Sequence, residues 1–173
     1  MTEPQDPVPL LRALADAGVD HVVIGGFAVI SHGVLRVTKD LDICPAPDRP
    51  NLERLALCLA QLDVAQLGVA DFRADELPFD PTSAEDLAQG GNFRLESRLG
   101  VLDVMQWVSG IDAEQAHTVL SAEAIHAEVA GVAVQICSLA HLRAMKRAAG
   151  RPQDLRDLAD LAIAHGDEPA PPR

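Results

Sequence analysis

The chain predicts an α/β domain of the α+β kind, a small sheet flanked by helices, and three segments carry that expectation. His21-Val-Val-Ile24 is a short apolar run stopped by Gly25 and Gly26, as a buried strand ending in a tight turn would be. Lys39-Asp-Leu-Asp-Ile-Cys44 alternates polar and apolar residues, the pattern of a half-buried strand, and Pro45 and Pro47 end it. From Asn51 to Leu62 the period changes: Leu52, Leu55, Leu59 and Leu62 fall on one face of an amphipathic helix. With 173 residues, 48% of them apolar, the chain can bury one core. A single domain over 1–166 is expected, followed by a disordered tail over 167–173.

The remaining elements follow in order. Pro4, Pro7 and Pro9 make a lead-in, and Leu10 to Ala17 has helical spacing that stops at Gly18. A short helix is expected from Phe27 to His32, ended by Gly33. The stretch from Asp71 to Gly91, with Pro78, Pro81 and a Gly90-Gly91 pair, is polar and irregular and is expected to be a mobile loop. Asn92 to Ser97 and Leu99 to Trp107 read as a hairpin, and Glu128 to Cys137 reads as another around Gly131. Ser138 is a candidate N-cap for a helix whose stripe is Leu139, Leu142, Met145 and Ala149, closed by Gly150. Asp154 and Asp157 stand where a last helix would be capped.

Composition narrows the function classes. No run of about 18 uncharged apolar residues exists, so no membrane span is expected. The acidic, Pro-bearing start Met-Thr-Glu-Pro-Gln-Asp is the opposite of a signal peptide. Three scattered cysteines, Cys44, Cys58 and Cys137, argue for a reducing cytoplasm and against a disulfide framework or zinc site. The six histidines are equally dispersed. Acids outnumber bases 26 to 14, for a net charge of −12, which cuts against unspecific grip on a nucleic-acid backbone.

The densest chemical signal lies between the first two strands. Residues two apart on a strand share a face, so Asp40 and Asp42 project together while Leu41 and Ile43 point into a core. Paired carboxylates on a half-buried strand repel each other and call for a cation. Mg²⁺ fits, since it binds through a few carboxylates plus substrate phosphates. Gly25 and Gly26 would let backbone N–H groups approach a phosphate closely, with a helix start behind them. Taken singly, an Asp-x-Asp is ordinarily a solvated edge and a Gly-Gly pair only a turn. In this order and spacing they read as a metal-dependent nucleotidyl-transfer site.

The stretch IGGFAVISHGVLRVTKDLDI resembles the signature of the DNA polymerase β-like nucleotidyltransferase superfamily, in which a Gly-Gly or Gly-Ser pair precedes an Asp-x-Asp or Asp-x-Glu. Leu99-Gly-Val-Leu-Asp103-Val-Met-Gln resembles the strand bearing its third carboxylate, and SLAHLRAMKRAAGRPQDLRDLADL resembles its lysine-bearing C-terminal helices. These features are similar to those of small bacterial stand-alone members, including nucleotidyltransferase toxins of abortive-infection and toxin-antitoxin systems. The resemblance spans roughly Val19 to Ala164. It implies a nucleotidyltransferase fold with a small, mixed, twisted sheet, and two Mg²⁺ ions held by Asp40, Asp42 and Asp103. It also implies an NTP substrate, ATP among the candidates. Asp103 would serve the metal nearest the acceptor, and Lys146 would neutralise triphosphate charge with help from Arg151. Arg36 and Thr38 match residues that precede the Asp pair, where they hold the loop or touch phosphate. One acid near Asp154 or Asp157 is implicated in activity in related toxins.

The residues alone leave plainer roles open: an exposed strand aspartate for Asp103, a lysine snorkelling over the core for Lys146, a cap for Asp154. Arg36, Lys39, Arg143, Lys146, Arg147 and Arg151 are candidates for a local basic channel. The expected function is NMP transfer to an acceptor that is an RNA, a protein or a small molecule, and the resemblance makes the chain a candidate toxin with a cognate antitoxin. The alternatives are an antibiotic nucleotidyltransferase of lincosamide or aminoglycoside type, and a non-catalytic nucleotide-binding module.

Overall fold

The computed structural model describes residues 5–67 and 79–167. Most of the expected tail and the 71–78 part of the expected loop lie outside them. Among the described residues, seven strands form one mixed sheet in the order β3-β4-β5-β2-β1-β7-β6. The strands are β1 (His21–Ile24), β2 (Asp40–Pro45), β3 (Ala65–Gln66), β4 (Asn92–Ser97), β5 (Gly100–Met105), β6 (Ile125–Val129) and β7 (Val132–Ile136). β2 runs antiparallel to β1 and parallel to β5, while β1 runs parallel to β7. The mixed sheet with flanking helices is the expected fold class.

Local chemistry accounts for the helix boundaries. Helix α1 (Val8–Asp16) buries Leu10, Leu11 and Leu14 against β7, a spacing that only a helical period provides. Helix α3 (Arg49–Gln61) starts where the Asp48 side chain accepts from the Asn51 amide at 3.0 Å, with Pro50 in its first turn. Helix α6 (Leu139–Ala149) is capped by Ser138, whose hydroxyl accepts from the His141 amide at 3.2 Å, and it ends at Gly150 with φ +61. Helix α7 (Pro152–His165) packs against α6. The β6–β7 hairpin turns on Ala130 and Gly131, both at positive φ, as a two-residue turn matching strand twist requires.

Two stretches depart from expectation. Part of the supposed irregular loop folds as α4 (Ala84–Ala88), because Ser83 accepts from the Asp86 amide and Leu87 is fully buried. Helix α5 (Ala116–Ala122) occupies a segment given no element from sequence, and it packs on β1 and β2 through Ala116 and Leu120. Each is one to two turns long, too short for periodicity to register. The core gathers Leu41, Ile43, Leu102 and Val104 from the central strands, all fully buried, with Leu52, Leu55 and Leu59 of α3. Burying each such side chain contributes roughly 1.5–3 kcal/mol, and it locks the register of the strands that carry the acids.

Candidate active site

Because Leu41, Ile43, Leu102 and Val104 are buried, the alternate residues Asp40, Asp42 and Asp103 emerge on the other face of β2 and β5. Asp42 lies opposite Asp103 in the parallel register and opposite Ile24 in the antiparallel one. Two carboxylates thus stand side by side on neighbouring central strands, with Asp40 one pleat away.

The glycine pair is required by this crowding. Helix α2 (Gly25–Ser31) begins at Gly25 rather than near Phe27, so both glycines belong to its first turn. Gly25 has φ +65, and a Cβ there would overlap the carboxyl of Asp42. A Cβ on Gly26 would come within 2.5 Å of the Thr38 hydroxyl oxygen. The Gly26 amide donates to Asp42 Oδ2 at 3.4 Å. Thr38 is buried and holds the start of β2, donating to the Asp40 carbonyl at 3.1 Å.

A ladder of alternating charges links α6, α7 and the loop before β2. The Lys146 ammonium donates to Asp154 Oδ1 at 2.9 Å and sits 2.7 Å from Asp157 Oδ2. Asp157 also takes Arg36 Nη1 at 2.7 Å, and Asp154 takes Arg151 Nε at 2.7 Å. Lys146, Asp154 and Asp157 are all buried. Neither Asp154 nor Asp157 is the expected N-cap: helix α7 already starts at Pro152 with Arg151 at its N-cap, and Asp154, at the third helical position, reaches back to accept from the Arg151 amide at 3.1 Å. The ladder's inner end meets the carboxylates: Lys146, Arg151 and Asp154 line a cleft of about 70 Å³ with Gly25, Asp42, Met105 and Met145. Lys146 is therefore not snorkelling over the core. It is an internal cation between two acids, facing the site.

Arg94 was not singled out from sequence. It stands on β4 directly across from Asp103, and its Nη1 bridges Asp103 Oδ2 at 2.6 Å and Asp40 Oδ2 at 2.9 Å. The signal was present in the hairpin register, which pairs 94 with 103 once Ser97 is set against Gly100. Arg143 corrects the expectation of a basic channel. It is buried and donates to the carbonyls of Leu161 at 3.2 Å and Gly166 at 2.6 Å, tying α6 to the end of α7. Arg36, Lys146 and Arg151 are engaged with acids, and Lys39, Arg147 and Arg151 are exposed.

The carboxylates are electrostatically strained. Burial, with the charges of Asp40 and Asp103, pushes Asp42 up to about 7, against relief from the Gly26 amide and Lys146. Burial also raises Asp103 to about 6, although Arg94 opposes it. Asp154 behaves oppositely: burial alone would raise it, yet hydrogen bonds and charge from Arg151 and Lys146 hold it at about 2.

Among the described residues no group of three acidic, histidine or cysteine side chains is arranged to hold a metal ion, the guanidinium of Arg94 lying between two of the acids. The donor chemistry nevertheless fits a hard divalent cation. The acids are all-oxygen donors, and Asp103 Oδ1 is buried without any hydrogen-bond partner.

No family model and no curated protein matches the chain. Solved structures do. The solution structure of the antibiotic-resistance factor ANT(2'')-Ia superposes with a TM-score of 0.55 at 15% identity, over 90% of this chain and 80% of that one. The crystal structure of ANT(2'')-Ia in complex with adenylyl-2''-tobramycin gives 0.52 at 16% identity, over 90% and 84%. An antigenic nucleotidyltransferase-like protein from Paracoccidioides brasiliensis gives 0.53 at 16% identity, over 93% and 78%. At such identities the likeness is one of fold, and the fold of this chain is that of the nucleotidyltransferases.

Proposed function

We propose that the chain is a metal-dependent nucleotidyltransferase that moves a nucleoside monophosphate from an NTP to a hydroxyl of a small-molecule acceptor. The observation carrying this reading is the convergence of Asp40, Asp42 and Asp103 beside a glycine whose Cβ would fill the site, within a nucleotidyltransferase fold. Asp40, Asp42 and Asp103 would hold the Mg²⁺ ions. When bound, the metal supplies neutralisation of triphosphate charge and a lowered acceptor pKa. Asp103 would receive the acceptor's proton as the hydroxyl oxygen bonds to the α-phosphorus and the bond to pyrophosphate breaks. Arg151, paired with Asp154 but with its side chain largely exposed, lies in the same cleft and would turn positive charge toward the triphosphate and the departing pyrophosphate, while Lys146, buried between Asp154 and Asp157, would support it from below. Gly25 leaves the space that Asp42 occupies, and Arg36 and Thr38 fix the loop that presents β2.

The acceptor is assigned from charge. With Arg143 buried and Arg36, Lys146 and Arg151 tied to acids, little basic surface is left on a chain of net charge −12 to grip RNA. The ANT(2'')-Ia structure with adenylyl-2''-tobramycin makes ATP the first donor to try and an antibiotic-like small molecule the first acceptor. A toxin role, with its cognate antitoxin, belongs to the alternative of an RNA or protein acceptor.

The test is incubation with each α-labelled NTP, Mg²⁺ and a cell extract split into small-molecule, RNA and protein fractions. Label is expected in the small-molecule fraction and absent with Asp42→Asn. Label in RNA or protein would move the acceptor to the toxin reading, and equal label with Asp42→Asn would end the transferase reading.

A further inference from the structure

We propose that Arg94 is a resident counter-cation of the site, held between Asp40 and Asp103 until a divalent metal displaces it and an NTP phosphate takes it up. The inference rests on the metal-dependent reading above. Its basis is geometric. One nitrogen, Nη1, contacts carboxyl oxygens from two strands at 2.6 and 2.9 Å, and those acids are the ones that would hold a divalent ion. The same arrangement leaves Asp103 Oδ1 without a partner, so the guanidinium only partly satisfies the acids. A dication on the same oxygens would stand at contact distance from the guanidinium, and the two cations would repel. Metal entry therefore works against the Arg94 contacts and favours their release.

The strand permits that exit. Phe93 and Leu95 anchor β4 in the core, while the Arg94 side chain is 43% exposed and can swing outward with the strand held in place. Once released it remains tethered beside the site, where a triphosphate is its natural partner, since the planar guanidinium matches phosphate oxygens. Metal would then bind better in the presence of nucleotide, and nucleotide better in the presence of metal, by the same factor. Arg94 is on this view a positioning residue that prevents the acids from repelling one another in the empty site and makes metal loading depend on substrate.

Mn²⁺ titration followed by electron paramagnetic resonance, on the full chain with and without a non-hydrolysable ATP analogue, tests this. Wild type should bind Mn²⁺ weakly alone and more tightly with the analogue. Arg94→Gln should bind Mn²⁺ alone on the order of tenfold more tightly, and gain less from the analogue. Arg94→Lys keeps a cation on the strand and should stay near wild type, which separates the effect from damage to the fold. Equal or weaker Mn²⁺ affinity in Arg94→Gln would overturn the inference. If Asp42→Asn abolishes Mn²⁺ binding while Arg94→Gln leaves it unchanged, only the role of Arg94 falls. If Asp42→Asn binds Mn²⁺ as wild type does, the metal reading fails and this inference with it.

Discussion

Asp42 shows how one residue can be both the centre of a site and a liability to the fold. Its carboxyl is raised from 3.8 to about 7, so the folded chain holds a proton there that the unfolded chain has released. In metal-free protein the stability this group contributes must therefore fall as pH rises from about 4 to about 8, because the native state binds more protons throughout that window. Asp42→Asn removes the charge and keeps the shape. We expect it to match wild type near pH 4 and to exceed it by at least about 1 kcal/mol at pH 8. Urea melts at both pH values check this, and an Asn variant less stable at pH 8 would make Asp42 a structural hydrogen-bond partner. Protons also compete with metal at Asp42 and Asp103, so Mg²⁺ affinity should rise between pH 5.5 and 8, roughly the range in which those acids release them. Gly25 is the matching steric case. With φ +65 and no room for a Cβ beside Asp42, Gly25→Ala should cost about 1–3 kcal/mol and abolish NTP binding, readable from melting temperatures with and without nucleotide.

At the scale of elements, the decisive unit is the α6–α7 pair with its internal ladder Arg151–Asp154–Lys146–Asp157–Arg36. Helix α6 was legible in the sequence because its cap, its stripe and its terminal glycine are local signals. What could not be read was the inward turn of Lys146, since the acids that draw it in lie on the next helix and their placement depends on how the two helices pack. Arg143 was misread for the same reason: its partners are carbonyls at the far end of α7. The consequence for testing is direct. Lys146→Met would leave Asp154 and Asp157 buried with one cation fewer, so it should destabilise the protein by about 3–5 kcal/mol rather than leave the fold intact. Lost turnover in that variant would thus not by itself identify a phosphate ligand. A variant with both Lys146→Met and Asp157→Asn should recover part of the loss in urea denaturation, and no recovery would mean that the two side chains are not coupled.

Across the whole molecule, the sheet and its acids were legible because strand alternation and the glycine spacing are short-range patterns, and the buried face of β2 and β5 fixes which residues emerge. Helices α4 and α5 were not, being too short to show a period. The charge distribution was legible only as a total, and the fold decides what that total means. Of the six basic residues that the sequence offered for a channel, Arg143 and Lys146 are buried and Arg36 and Arg151 are paired with acids, and Arg94 is held by Asp40 and Asp103, so the local field cannot offset a net charge of −12. A protein that neutralises several phosphates shows affinity falling steeply with salt, at a slope of roughly −0.7 per contact for single strands. This chain should show negligible binding to single-stranded RNA at physiological salt, and Arg147→Glu should change neither that nor Mg²⁺-dependent NTP binding. Fluorescence anisotropy of a labelled RNA across a salt series measures it. Tight RNA binding that collapses with salt and weakens in Arg147→Glu would reveal a basic strip built around that helix, and would return the acceptor to the macromolecular class.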